Sequence, residues 1–162
     1  MKLLTFITAL FITITSCNCQ KATTNESNLL SAKENNTNMN QESNVPVMIY
    51  EANSRGYFIK LKVENRKIYI SKDRNTSDFK TSNVISDNDW NLISKLALAV
   101  ELDKVKDLKW PTEKRFYDGA THANITFISN NVEYPANGFD GGFPPKEIAD
   151  LVNKIVELGE KE

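Results

Sequence analysis

Histidine and cysteine are almost missing from this chain: His122 is its one imidazole, and its two cysteines, Cys17 and Cys19, both lie near the N-terminus. A disulfide-rich scaffold is therefore excluded, and a zinc site of the usual Cys/His kind cannot be assembled in the rest of the chain. An excess of either charge is missing as well. Twenty basic against 21 acidic side chains in 162 residues leave a formal charge of −1, which supplies no broad field for holding nucleic acid phosphates. There is no Walker or dinucleotide glycine motif, and Gly-x-Ser-x-Gly is absent. The sequence thus implies no cofactor and no nucleic acid partner.

What is present begins with an address. Lys2 gives a positive start, and Leu3 to Ile14 is apolar apart from Thr5, Thr8 and Thr13, the layout of an export signal over residues 1–16. A membrane span needs about 20 apolar residues, so this stretch is too short to serve as one. Ile14-Thr15-Ser16-Cys17 resembles the lipobox of bacterial lipoproteins. That resemblance implies cleavage before Cys17 and lipidation of its thiol and new amine; the alternative is an ordinary secretory signal with a coincidental cysteine. Each buried CH₂ of an acyl chain contributes about 0.8 kcal/mol, so several chains on one residue hold a domain to a membrane firmly. A Cys17–Cys19 disulfide would close a strained loop, which leaves Cys19 as a spare thiol.

Aromatic residues and glycine are missing from Asn18 to Pro46, where eight Asn, three Ser and three Thr stand among 29 residues. Such a composition cannot bury enough surface to offset its conformational entropy. Residues 17–46 are expected to be a lipidated cysteine and a disordered polar tether, with an end-to-end separation of about 30 Å. The single domain is expected over residues 47–162, which hold 13 of the 15 aromatic residues and all six glycines.

Within it, Val47, Ile49, Tyr57, Ile59, Leu61 and Val63 alternate with solvent-compatible residues, as in half-buried strands. Arg55-Gly56 marks a bulge or turn, and Glu64-Asn65-Arg66 a hairpin connection into Lys67 to Ser71. Lys72 to Asn83 carries no clear pattern. Ser86, three residues before Asp89, predicts a capped helix from about Asp87 to Leu102, with Trp90 in the core. Ala123, Ile125 and Phe127 predict a second strand pair turning at Asn130-Asn131. Pro144-Pro145 opens a last helix, whose stripe of Ile148, Leu151, Val152, Ile155 and Leu158 ends at Gly159. The predicted order is ββαββα, an α+β fold with one antiparallel sheet and both helices on one face.

Chemistry is confined to two loops, Lys114 to His122 and Asn137 to Pro145, which frame the second hairpin. If Asp118, His122 and Asp140 converge, they form an acid–base constellation, because carboxylates orient an imidazole. The structural alternative makes the Asp-Gly pairs turns, pairs Arg115 with Asp118, and turns His122 to solvent. A calcium loop at Asp73 to Asp78 is rejected: Asp78 stands where glycine is required, and Val84 where glutamate is. Asp140-Gly141-Gly142 reads as a turn rather than a cation site, so no metal site is expected. Trp110, Phe116, Tyr117, Phe139 and Phe143 stand in or beside these loops, where aromatic side chains serve recognition or anchor the loops. The candidate binding residues are accordingly Trp110, Arg115, Tyr117, Asp118, His122, Phe139, Asp140 and Phe143.

Lys109-Trp110-Pro111-Thr112-Glu113-Lys114-Arg115, Asp118-Gly119-Ala120 and Phe139 to Pro145 together resemble small uncharacterised lipoproteins of the Bacteroidetes. The likeness spans about Tyr50 to Leu158; it implies lipidation and an α+β domain and brings no activity with it. The ββαββα order and proline-led last helix are also similar to emfourins, inhibitors of thermolysin-like metalloproteases. Where emfourins have a glycine-rich N-terminal segment, this chain has Ser54-Arg55-Gly56-Tyr57-Phe58, so no inhibitory residue carries over. The sequence therefore predicts a non-enzymatic, protein-binding domain of the bacterial cell envelope, facing periplasm or medium. Its partners would be a membrane, through the lipid, and an envelope protein or a protease. The alternatives are an envelope hydrolase or metal-dependent enzyme using Asp118, His122 and Asp140, and a structural lipoprotein that maintains the envelope.

Overall fold

The computed structural model describes residues 44–161 except residue 77. The export signal, Cys17 and nearly all of the expected tether lie outside the described residues. Packing begins before the expected domain start: Val45 rests against the core and Pro46 is buried.

Strands β1 (Val47–Ser54) and β2 (Tyr57–Glu64) are joined at Arg55-Gly56, where Gly56 has φ +85°. The expected interruption is thus a tight turn, and Ser54 faces Tyr57 across it. Strand β3 (Lys67–Ser71) follows through Asn65-Arg66, and β6 (Val132–Pro135) follows β5 (His122–Ser129) through Asn130-Asn131. All four of these turn residues have φ between 49° and 62°, the left-handed twist that a two-residue hairpin needs. Two short strands were not anticipated, β4 (Thr81–Val84) and β7 (Phe139–Asp140). The sheet runs β4-β3-β2-β1-β5-β6 and is antiparallel throughout, with β7 pairing the start of β5 beyond the end of β6.

The fold is α+β with one antiparallel sheet and two helices among the described residues, although the strand count exceeds the expected ββαββα. Helix α1 spans Asp87–Leu98, shorter than expected, because the chain tightens into a 3₁₀ segment at Leu102–Asp107. Ser86 caps it as the sequence predicts, its hydroxyl accepting from the Asp89 amide at 3.2 Å. A 3₁₀ turn at Lys146–Ile148 after the two prolines leads into α2, Ala149–Glu160.

Met48, Tyr50 and Ala52 of β1, Ile59, Leu61 and Val63 of β2, and Ala123, Ile125 and Phe127 of β5 point to one face. The helices cover that face with Trp90, Ile93, Ala97, Leu151, Val152 and Ile155, in one continuous core. Burying a side chain of this size contributes roughly 1.5–3 kcal/mol. The opposite face stays solvated, with Lys60 3.6 Å from Glu51 and the Lys62 ammonium 4.6 Å over the Tyr69 ring. No helix among the described residues is long and apolar enough to cross a membrane.

Candidate functional site

Asp140 decides the geometry of the loops. It has no accessible surface, and its carboxylate accepts four hydrogen bonds from a segment 25 to 28 residues earlier in the chain. Oδ1 takes the Arg115 amide at 3.1 Å and the Arg115 guanidinium at 2.9 Å; Oδ2 takes the Lys114 amide at 2.6 Å and the Thr112 hydroxyl. The two amides belong to the first turn of a 3₁₀ helix, Lys114–Tyr117, whose N-terminal donors have no partner within the helix. Burial alone would raise the Asp140 pKa, but the hydroxyl, the guanidinium and the two amides together hold it well below the usual carboxylate range.

This arrangement corrects three expectations. Asp140 is not an exposed loop residue, because its oxygens are saturated by buried donors. Phe139 is not on the surface either: it is fully buried, 6.5 Å from the Tyr50 ring, because β7 continues the sheet and turns it into the core. Arg115 is paired with Asp140 rather than with Asp118, and its side chain is only 6% exposed. The carboxylate that lies beyond the hairpin in sequence is brought to Arg115 by the pairing of β7 with β5, whereas Asp118 sits in the left-handed region at φ 59°, ending the 3₁₀ helix. The expected convergence of Asp118, His122 and Asp140 does not form a bonded cluster. His122 and Asp140 are register neighbours, but Asp140 is enclosed by residues 112–115, while His122 is exposed, as expected. Among the described residues no three His, Cys, Asp or Glu side chains stand close enough to hold a metal ion.

What the Asp140–Arg115 pair supports is an aromatic surface. The Arg115 guanidinium lies 5.0 Å from the Trp110 ring and 4.3 Å from the Phe116 ring, within cation–π range. Beside it the Lys114 ammonium stands 4.1 Å over Phe143. Trp110 is 39% exposed, Phe143 41%, Phe116 63% and Tyr117 72%. Trp110, Tyr117 and Phe143 thus stand where the sequence placed them, on loops at the surface, together with Phe116.

Asp118 and His122 line a second feature, an open depression of about 820 Å³ at the end of the sheet. Its other walls are the β1–β2 turn (Asn53, Ser54, Arg55), Arg74 and the Gly119-Ala120-Thr121 segment. Arg55 and Arg74 escaped the sequence reading. The antiparallel pairing of β1 with β5 sets Asn53 opposite His122 and so brings the Arg55 turn beside the 118–122 loop. That pairing joins segments about 70 residues apart, and no local signal announces it.

Comparison of the chain with protein-family models, with curated proteins and with solved structures finds no match.

Proposed function

We propose that this protein is a lipid-anchored domain of the bacterial cell envelope that binds another protein through Trp110, Phe116, Tyr117 and Phe143. The observation that carries the reading is the exposure of these four rings on two loops that the buried Arg115–Asp140 pair ties together from below. Aromatic side chains supply large contact area at low entropy cost and dominate the centres of protein interfaces. A loop held in place before binding loses little further freedom on association, which favours affinity. The lipobox-like Ile14-Thr15-Ser16-Cys17 supports the anchor. A thermolysin-like protease is the sharpest candidate partner, by the resemblance to emfourins. The enzymatic alternative loses its motivation, since it requires Asp140 to exchange protons from a position closed by four donors.

Two measurements test this. Capture of an envelope protein by the full chain should fall at least tenfold in the Tyr117→Ala variant, while the melting temperature stays within about 3 °C, because Tyr117 is 72% exposed and exposed substitutions shift stability by roughly 0.5 kcal/mol or less. Inhibition of a thermolysin-like protease by the full chain, lost in the same variant, would identify the partner class. Equal capture by variant and parent would place the contact elsewhere and overturn the reading.

A further inference from the structure

Some ionisable side chains of this domain satisfy one another and others do not, and the depression at the sheet end gathers three of the latter on one wall. Lys60 pairs with Glu51, Lys80 with Asp73, Lys104 with Glu101 and Lys154 with Asp89. Arg55, Asp118 and His122, by contrast, make no ion pair or side-chain hydrogen bond to any described residue, yet all three line the same depression. Arg74 completes the wall and is already fixed. One guanidinium nitrogen donates to the Ser54 carbonyl at 2.7 Å and the Tyr57 carbonyl at 3.0 Å, with the group 6.0 Å from the Phe58 ring. A guanidinium carries five N–H donors, so this anchoring leaves several for a ligand.

We propose that this depression binds an α-carboxylate that bears a neighbouring N–H. Arg55 and Arg74 take the carboxylate, for which the planar guanidinium fork is the matching donor, and His122 adds a donor from β5. Asp118, on the 118–121 rim, accepts the N–H. The guanidinium fork also suits phosphate, so the preference comes from the single carboxylate in the wall, which disfavours the doubly charged phosphate and rewards a ligand that carries a donor beside its anionic end. Two sources share this chemistry, the C-terminus of a peptide and a free amino acid, and the volume of about 820 Å³ accommodates either, small-ligand sites spanning roughly 300–1,000 Å³. Binding here does not require the aromatic surface, so the two sites fail or succeed separately.

The full chain, labelled with ¹⁵N, is titrated with N-acetyl-alanyl-alanine, with the C-terminal amide of that peptide, with alanine and with inorganic phosphate. Saturable shifts at Gly119, Ala120, Thr121 and His122 are expected from the free-carboxylate peptide or from alanine, and the tighter of these two names the source. The amide should produce none. Arg55→Ala, at an exposed turn position without partners, should weaken binding at least tenfold with the rest of the spectrum unchanged; Asp118→Asn should weaken it severalfold while strengthening phosphate. The assignment is overturned if no carboxylate gives saturable shifts, if the amide or phosphate binds as tightly as the free carboxylate, or if Arg55→Ala binds like the parent.

Discussion

Asp140 is the residue on which the loop architecture depends. Its sequence context, Phe-Asp-Gly-Gly, reads as a turn, and turn chemistry is indeed present: Phe143 donates to the Asp140 carbonyl at 2.8 Å, and Gly142 has φ +83°. What the local sequence does not disclose is the burial, because the donors come from Thr112, Lys114 and Arg115. Removing one partner of a buried ion pair leaves an uncompensated charge, a loss of about 3–5 kcal/mol. Asp140→Asn should therefore lower stability by about that amount and speed hydrogen exchange at the Lys114 and Arg115 amides. Thr112→Val withdraws one neutral donor of four and should lower it by only about 1 kcal/mol. Urea melts of the two variants check the ratio; similar losses would mean that the pair contributes no more than an ordinary hydrogen bond.

At the scale of elements, legibility follows burial. Strands β2 and β5 alternate because one face of each is buried, and their period is visible along the chain; in β1 the apolar Val47 and Ile49 mark the wrong face, because Met48, Tyr50 and Ala52 are the residues turned into the core. Strand β4 is exposed at all four positions, so its sequence carries no period; it exists because β3 offers an edge to pair with. Helix α2 was legible as an apolar stripe, but its end was not. Gly159 does not terminate the helix, which runs on to Glu160. It is instead the point of closest approach to the sheet, where a Cβ would stand 2.5 and 2.6 Å from the two methyl carbons of Leu61. Alanine at a helix position gains up to about 1 kcal/mol over glycine, whereas overpacking a full core loses about 1–3 kcal/mol. With Leu61 entirely buried, the second effect wins, and Gly159→Ala should destabilise by about 1 kcal/mol. Adding Leu61→Val makes room and should recover part of the loss, which a double-mutant cycle of melting curves reads directly.

For the molecule as a whole, the two helices and the loop platform are tied down by carboxylates, which makes stability depend on pH. Between the helices, Lys154 of α2 lies 2.7 Å from Asp89 of α1 and 3.2 Å from Glu157. The Lys154 hydrogen bond, followed by that of Ser86, lowers the Asp89 pKa; hydrogen bonds from Lys161 and Lys154 lower that of Glu157. Asp140 is lowered as well, its donors outweighing the upward pull of burial. A carboxylate whose pKa falls on folding holds fewer protons in the folded than in the unfolded chain at acid pH. Its contribution is then fully present above the unfolded value, about 3.9 for Asp and 4.3 for Glu, and is lost as pH drops below it toward the folded value. Unfolding free energy should be flat from pH 7 to about pH 5 and fall steeply between about pH 4 and pH 2. Salt separates the contributors. The helix carboxylates are partly open to solvent, Asp89 27% and Glu157 48% exposed, so 1 M salt weakens their contributions, whereas Asp140 is fully enclosed and is affected least. Denaturant melts across this range should therefore keep a steep acid limb at 1 M sodium chloride in the parent protein and lose most of it in Asp140→Asn. An acid limb that salt abolishes in the parent would assign the pH dependence to the helix pair instead of the buried one.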